Sequence, residues 1–466
     1  MELEPGSFRD RTGRIFYSGE SVFRGLTDRA LPEWQALRST RFFPRLVQEG
    51  KIVPTEQTEQ VESELPGDWA AVLRHERIPF ISYPYEWCFG MLKQAALLQL
   101  ELIETALFED FSLKDATPYN VQWRGCRPVF IDVLSFYRLR PGEPWIGYRQ
   151  FCELFLNPLL LEAYKGVPFQ PWLRGSLEGI PPRDLLALLG ARDLLRRGVL
   201  THVWLHARSQ VGYDEAAQSR DVKRELAAAG FRKELIRANV QGLARLIRGL
   251  SLPERKSAWA GYGEDPGYAG ADREEKERFV REAVAHQRWG LAWDLGANTG
   301  VYSRIAAEGS DYVVALEGDP RAVERLFAEG TSKVLPLVCN LADPSPGRGW
   351  RGRERKDLPD RGLPDLVLCL ALIHHLVIGA NLRLSEVLDW LAGLGRFLVI
   401  EFVAREDPRV QGLLRHRDDP YEDYELPVFE AELAARFEIV QRQELPSGRR
   451  ILYFAVSRGR GRGRGR

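Results

Sequence analysis

Four small or polar residues recur at two-residue spacing in the segment WDLGANTGVYSRIAA, residues 293–307. They are Asp294, Gly296, Asn298 and Gly300. Glycine permits the tight dihedral angles of a strand-to-helix turn and the close approach of backbone to a ligand. A carboxylate at the carboxyl end of the strand can bind polar groups of that ligand. The spacing favours a ligand-binding turn, and the alternative is a turn that only packs.

A second acid follows at a comparable place. The segment YVVALEGDP contains Glu317, 23 residues after Asp294. In nucleotide-binding α/β folds an acid at the end of the second strand accepts hydrogen bonds from ribose hydroxyls. The glycine pattern is not GxGxxG, so a dinucleotide is not the first choice of ligand.

Strand-like and helix-like segments alternate from Leu291 onward, which predicts a parallel sheet with helices on both faces. Ligands of such sheets bind beyond the carboxyl ends of the strands, where the strand order reverses. The end of the pattern differs, because RFEIVQRQELPSGRRILYFAVS reads as two strands joined by Pro-Ser-Gly. We therefore predict an α/β fold, with a Rossmann-like parallel sheet closed by an antiparallel hairpin.

The 466 residues are too many for one ordinary core, so several domains are expected. A segment rich in Gly, Pro and polar residues predicts the junction between them. The predicted parts are an N-terminal α+β domain over 1–250, a linker over 251–271, the parallel-sheet domain over 272–456 and a disordered Arg-Gly tail over 457–466.

Composition excludes several classes of protein. The 65 basic and 65 acidic residues cancel, which gives no global attraction to nucleic acid or anionic membrane. None of the five cysteines forms a CxxC pair, which disfavours a disulfide framework or a zinc site and fits a reducing cytosol. The N-terminus has no apolar signal segment, and no stretch approaches the ~20 apolar residues of a membrane span. We expect a cytoplasmic protein with neither a metal nor a membrane partner.

The DxGxNxG turn, the acid after the second strand and the terminal hairpin together resemble the class I S-adenosylmethionine-dependent methyltransferases, over roughly residues 272–456. The resemblance implies S-adenosyl-L-methionine as cofactor, with its methionine part facing the glycine turn and its ribose held by Glu317. It places Asp319 near the adenine. Asn340, or Asp343 in its stead, would contact the adenine amino group. The same implied cofactor site includes Leu341 and Leu370.

Candidate catalytic residues follow the fourth and fifth strands. His374 and His375 come where the fourth strand meets its turn, and either could act as general base for a hydroxyl or amine acceptor. Capping a helix or filling the pocket wall are the alternatives. Glu401 ends the fifth strand, either at the cleft rim or as a solvated edge carboxylate. Methyl transfer can also rely on proximity and orientation, without a base.

Two basic segments permit anion binding. The insertion PSPGRGWRGRERKDLPDRGLP could clamp an anionic acceptor, but a solvated loop is the favoured interpretation. Its basic residues are Arg348, Arg351, Arg353, Arg355, Lys356 and Arg361. The Arg-Gly tail could contact a polyanion non-specifically, yet it has no aromatic residue for base stacking. Nucleic acid is therefore not an expected specific partner, and Asn-Pro-Pro-Tyr and Pro-Cys motifs of nucleobase methyltransferases are missing after the fourth strand.

The N-terminal segment SLKDATPYNVQWRGCRPVFIDVLSF resembles the catalytic segment of kinase-like and aminoglycoside-phosphotransferase-like folds. The resemblance implies two lobes, about 1–85 and 86–250. Asp115 would orient an acceptor hydroxyl, and Asn120 with Asp132 would hold magnesium. No histidine precedes Asp115 and no glycine-rich loop is visible in residues 1–80. Such a domain could keep the fold and lack phosphotransfer.

The layout as a whole resembles a bacterial family of nodulation-type methyltransferases. LALIHHLVIGAN, NLADPSPGRGW and SLKDATPYNVQ carry this resemblance. It implies a small-molecule or glycan-related acceptor, with the N-terminal domain aiding acceptor binding or regulation. A bifunctional kinase and methyltransferase, and a non-catalytic cofactor-binding scaffold, are the alternatives.

Overall fold

The computed structural model describes residues 2–19, 21–59, 65–208, 232–253, 270–415, 421 and 423–459. Contacts divide the chain into two compact units. The first unit comprises Met1–Arg255 and Arg348–Arg355, and the second comprises Lys256–Gly347 and Lys356–Arg466. Most of the predicted linker and most of the Arg-Gly tail lie outside the described residues.

The first unit begins with a five-stranded antiparallel sheet of order β1-β2-β3-β5-β4. Phe16 and Phe23 pair across neighbouring strands and pack with Val72 and Trp69, so one face of this sheet is buried. Two short helices connect the third strand to the fourth. The bounds are β1 Glu2–Leu3, β2 Gly13–Ser18, β3 Ser21–Leu26, α1 Leu31–Arg38, α2 Phe42–Gln48, β4 Thr55–Thr58 and β5 Ala71–Glu76.

Helices dominate the remainder of the first unit. Helix α3, Phe89–Leu107, buries apolar side chains at three- and four-residue spacing, as its sequence predicts. Two small antiparallel two-stranded sheets follow, β6 with β9 and the hairpin of β7 with β8. The bounds are β6 Phe111–Leu113, β7 Val121–Arg124, β8 Arg127–Phe130, β9 Phe136–Arg138, α4 Tyr148–Phe151, α5 Asn157–Lys165, α6 Gln170–Gly175, α7 Pro182–Leu188 and α8 Lys233–Arg248.

The segment RPVFIDVLSF has the apolar pattern that predicts one strand, and this prediction is wrong. Strand β8 ends at Phe130, and a short 3-10 turn covers Val133–Ser135 before β9 begins. Asp132 caps that turn with φ −100° and ψ 79°, outside the extended region. The polar side chain therefore lies in a break between two strands.

The second unit is a seven-stranded sheet of order β12-β11-β10-β13-β14-β16-β15. The first five strands in this order are parallel, and β16 runs antiparallel to both of its neighbours. The predicted parallel sheet with a terminal hairpin is confirmed. The bounds are α9 Gly270–Val284, β10 Trp289–Leu295, α10 Val301–Gly309, β11 Ser310–Glu317, α11 Pro320–Ala328, β12 Val334–Val338, β13 Leu366–Cys369, α12 Leu384–Leu394, β14 Phe397–Val403, α13 Pro408–Leu414, α14 Leu426–Arg436, β15 Phe437–Glu444 and β16 Arg450–Ser457.

The register of the parallel strands aligns the predicted site residues. Leu295 of β10 pairs with Leu316 of β11 and with Cys369 of β13, and Cys369 pairs with Ile400 of β14. The next residues along these four strands therefore lie at one level of the carboxyl edge. They are Gly296, Glu317, Leu370 and Glu401.

The central strands of this sheet form its apolar core. The central strands are almost continuously apolar, as expected for parallel strands covered on both faces. Trp289 packs edge-on against Phe397 with ring centroids 4.9 Å apart, which joins β10 to β14 beneath the site. In the described part of the chain, no helix combines the length and apolarity needed to cross a bilayer.

Candidate active site

A cavity of about 650 Å³ lies at the carboxyl edge of the parallel strands, within the second unit. It coincides with the place where the strand order reverses around β10. Nine predicted site residues line it, namely Asp294, Gly296, Asn298, Glu317, Asp319, Asn340, Leu341, Leu370 and His375. Gly300, His374 and Glu401, and the alternative Asp343, do not.

The glycine turn opens this cavity through its backbone. Gly296 and Asn298 both have left-handed dihedral angles, with φ of 75° and 49°. Gly300 also has a positive φ, 80°, but a Cβ there would lie 2.4 Å from Leu326 Cδ1. Gly300 therefore permits helix packing, and Gly296 is the glycine that lines the cavity.

Asp294 is almost fully buried, with 2% of its surface exposed. The Ser303 hydroxyl donates a hydrogen bond to its Oδ2 at 2.5 Å. Burial raises the pKa of Asp294 to about 6, although the Ser303 hydrogen bond lowers it. The carboxylate is thus mostly ionised at neutral pH and suits a cationic group in the cavity.

Glu317 is oriented by backbone amides. The amide of Asn298 donates to Oε2 and the amide of Asp319 donates to Oε1, both at 2.8 Å. Burial raises the pKa of Glu317, while these amides lower it. Each oxygen keeps a further lone pair, so the carboxylate can accept from two neighbouring hydroxyl groups.

The adenine-side candidates have local roles as well. The Asp319 carboxylate accepts from the Arg321 amide and caps helix α11. The side-chain oxygen of Asn340 accepts from the Ala342 amide at 3.1 Å. Asn340 lines the cavity and Asp343 does not, so the structure favours Asn340 between the two alternatives.

The two histidines differ in their surroundings. His375 begins a short π-helix, His375–Gly379, and lines the cavity. Burial, with the charge of Arg409, lowers the pKa of His375 to about 4, so its imidazole is neutral at pH 7. His374 is fully buried against His375, and among the described residues neither of its ring nitrogens has a hydrogen-bond partner.

Glu401 does not lie at the cleft rim, and the predicted position is wrong. Strand β14 continues to Val403, and the Glu401 carboxylate is fully buried. Lys276 Nζ donates to its Oε2 at 2.5 Å, and Arg450 Nη1 donates to its Oε1 at 3.2 Å. Burial raises the pKa of Glu401, but the two cations outweigh burial and lower it.

The cavity-lining residues that sequence reasoning missed include Lys276, Arg273 and Tyr302. Lys276 belongs to a helix whose many charges suggest a solvated surface. Yet it precedes the buried Phe279 and Val280 by three and four positions, which is the spacing of one helix face. That spacing is a signal by which the sequence could have revealed it.

Three arginines of the basic insertion contact other residues of the chain. Arg348 donates to the Leu173 carbonyl at 3.3 Å, and the Arg355 guanidinium lies 4.3 Å from the Tyr119 ring centroid. Arg361 is buried and donates to backbone carbonyls. The solvated-loop interpretation is therefore wrong for these three arginines.

The three N-terminal candidates lie near one another in the first unit. Asn120 Nδ2 donates to Asp132 at 3.4 Å, and Arg24 Nη1 donates to the other oxygen at 2.8 Å. Burial raises the pKa of Asp115, and the Asp132 charge raises it further. No group of three or more His, Cys, Asp or Glu side chains is arranged to hold a metal ion in the described residues.

Strand order, glycine turn and the acid after the second strand together define the second unit. It has the fold that its motifs predict, that of the class I S-adenosyl-L-methionine-dependent methyltransferases. The kinase-like interpretation of the first unit stays a prediction.

No family model matches the chain. Among solved structures, the N-methyltransferase NodS from Bradyrhizobium japonicum WM9 with S-adenosyl-L-homocysteine is 12% identical, with a TM-score of 0.32. The match covers 41% of this chain and 90% of NodS. Magnesium protoporphyrin IX methyltransferase from Synechocystis PCC 6803 is 16% identical over 44% of this chain and 90% of that one, with a TM-score of 0.29. Scores this low carry no statement about the acceptor.

One relative matches nearly end to end. It is the nodulation protein NoeA of Rhizobium meliloti (strain 1021), 37% identical over 454 residues. The match covers 96% of this chain and 94% of the relative. The chain therefore belongs to the family of the nodulation protein NoeA.

Proposed function

We propose that the second unit transfers a methyl group from S-adenosyl-L-methionine to a small-molecule acceptor, with glycan-related compounds as the first class to test. The observation that carries this proposal is the cavity bounded by the glycine turn on one side and by the oriented Glu317 carboxylate on the other. The relative's name refers to nodulation and specifies no acceptor. The acceptor panel therefore includes hydroxylated and aminated sugars together with simpler amines.

The residues present fit the cofactor. A side chain at position 296 would enter a cradle against Leu372, at 3.2 Å from Cβ, so the backbone there can approach a ligand closely. Glu317 would accept from the ribose hydroxyls, and Asp319 with Asn340 would border the adenine. When bound, the cofactor supplies an electrophilic methyl group next to these residues.

His375 is the residue that we assign to proton removal, because it lines the cavity as a neutral imidazole. With the bound cofactor supplying the electrophilic methyl group, the neutral imidazole of His375 would accept the proton that a hydroxyl or amine acceptor gives up on methylation. His374 and Glu401 do not line the cavity, so neither is assigned a contact with the reacting atoms.

For the first unit we propose a role in acceptor binding or regulation. The bifunctional alternative needs Asp132 free for magnesium, whereas its carboxylate pairs with Arg24 at 2.8 Å. Binding of ATP with magnesium would favour that alternative. The non-catalytic scaffold alternative would be favoured if the cavity bound the cofactor and His374, His375 and Glu401 could all be replaced without effect. The predicted domain limits and the cytoplasmic location remain part of this proposal.

Isothermal titration of the full chain with S-adenosyl-L-methionine and S-adenosyl-L-homocysteine tests the proposal. Glu317→Ala should weaken binding by about 1–3 kcal/mol, the scale of a lost charge-assisted hydrogen bond. Glu308→Ala, on the exposed face of α10, is the matched control and should bind as the wild type does.

Turnover with labelled cofactor forms the second arm of this experiment. His375→Ala should keep the wild-type affinity for S-adenosyl-L-homocysteine. It should slow methyl transfer about 100-fold, the usual scale of a lost general base. Equal binding by Glu317→Ala and wild type would show that the ribose assignment is wrong. Binding of ATP with magnesium in place of both cofactor forms would move the chemistry to the first unit.

A further inference from the structure

Four charged side chains form a buried chain of ion pairs behind the cavity. Lys276 pairs with Glu401, Glu401 with Arg450, and Arg450 Nε with Asp407 at 2.9 Å. Each of the four residues is at most 5% exposed. Burying four charges contributes little net stability even when they are paired, so packing alone does not explain the arrangement.

The two ends of this chain of charges differ. At one end, Asp407 also accepts from the Arg409 amide and caps helix α13, so its charge is balanced by a helix N-terminus as well as by Arg450. At the other end, Lys276 lines the cavity and lies 4.7 Å from the Tyr302 ring centroid. Glu401 is shared between two cations, so the cavity end of the network stays electropositive.

The position of Lys276 along the carboxyl edge shows which end of the cavity it occupies. Its ammonium contacts Glu401 on β14, whereas Glu317 lies on β11, three strand spacings or about 14 Å away. The Asp294 carboxylate, on β10 between them, is close enough to Lys276 for the ammonium charge to lower the pKa of that carboxyl, against the larger effect of burial. One end of the cavity therefore presents an anion and a cation side by side.

An α-amino acid group carries the complementary pair of charges. We propose that Lys276 binds the α-carboxylate of the cofactor's methionine part, and that Glu401 and Arg450 are positioning residues that fix its ammonium. The inference rests on the proposed function, because it presumes that the ribose end lies at Glu317.

Paired ligands separate this inference from the proposed function. S-adenosyl-L-homocysteine has the amino acid group, and 5′-methylthioadenosine has the same nucleoside and thioether sulfur without it. Decarboxylated S-adenosylmethionine differs from S-adenosyl-L-methionine only by the missing carboxylate. Titration of full-length Lys276→Met should show an affinity for S-adenosyl-L-homocysteine about 10- to 100-fold below wild type. Its affinity for the other two ligands should match the wild type. Arg278→Gln, on the exposed face of the same helix, is the control and should change none of the three.

Two further variants keep the test decisive if Lys276→Met does not fold. The double variant Lys276→Met with Glu401→Gln removes both charges of one pair and leaves no unpaired buried carboxylate there. Glu401→Gln alone keeps Lys276 and should weaken S-adenosyl-L-homocysteine several-fold while sparing 5′-methylthioadenosine. A merely structural role would instead weaken both ligands alike.

The inference is overturned if Lys276→Met, or the double variant in its place, binds all ligands as wild type does. It is also overturned if the affinities for S-adenosyl-L-homocysteine and 5′-methylthioadenosine fall by the same factor. Failure of the wild-type protein to bind either nucleoside would refute the proposed function itself, which is a different result.

Discussion

Both units contain acids that their motifs mark as functional, and the two sets have opposite surroundings. In the second unit, Glu317 is held by backbone amides and borders a cavity. In the first unit, Asp132 is held by the guanidinium of Arg24, whose side chain is only 11% exposed. A carboxylate fixed by backbone donors keeps its charge for a ligand, whereas one fixed by an arginine is already neutralised. Residue type and spacing alone do not distinguish these cases.

The sharpest way to break this comparison is to fill the cavity. Gly296→Arg should lower the affinity for S-adenosyl-L-homocysteine by more than about 100-fold, because the side chain would occupy the ligand's space. The positive φ should cost only about 1 kcal/mol of stability, or about 2–4 °C in melting temperature. Titration and thermal melting measure the two effects.

Gly330→Arg is the matched control for this change. Gly330 has a φ of 71°, and a Cβ there meets no atom within 4 Å. It should carry the same backbone penalty and keep full cofactor affinity. Retained affinity in Gly296→Arg would mean that the cavity is not the cofactor site.

The second prediction concerns the acid of the first unit. Asp132→Ala should lower the free energy of unfolding by about 1–3 kcal/mol, since a nearly buried guanidinium loses its carboxylate partner. Affinity for S-adenosyl-L-homocysteine should stay within about twofold of wild type. Denaturant unfolding and titration test this, with the exposed Asp28→Ala as control. Magnesium-dependent ATP binding that disappears in Asp132→Ala would reverse the comparison, because the acid would then serve a ligand.

The smallest expected effect is a pH dependence of cofactor binding. The pKa of Asp294 is raised to about 6, so its carboxylate gains a proton and loses its charge as the pH falls through that value. Affinity for S-adenosyl-L-homocysteine should therefore drop about tenfold between pH 7.5 and pH 5. His375, with a pKa of about 4, stays mostly neutral over this range. Asp294→Asn should bind more weakly at pH 7.5 and show a flat profile in the same titrations.

The parts of the site that the sequence predicts are those that local physics specifies. Gly296 and Glu317 follow apolar runs that must be strands, and parallel strands bring their carboxyl ends to one edge. The spacing of Lys276 from Phe279 carries a similar local signal. Periodicity of 2 or 3.6 residues is readable within one segment, so such positions can be inferred from one sequence.

Pairings between distant segments could not be predicted in this way. Arg24 and Asp132 are 108 positions apart, and Glu401 is 125 positions from Lys276. The sequence places Glu401 on the right strand, β14. The burial of its carboxylate, however, depends on the cations Lys276 of α9 and Arg450 of β16. A carboxylate at a strand end looks the same in sequence whether it meets solvent, a ligand or a lysine.

Residues 348–355 have a consequence for biosynthesis. They come between β12 and β13 in sequence, yet they belong to the first unit, where Glu354 accepts from Arg9 and Arg355 lies over Tyr119. A ribosome that has finished residue 255 has therefore not yet supplied all of the first unit. During translation, the first unit can complete these contacts only after the three strands β10, β11 and β12 of the second unit have been synthesised.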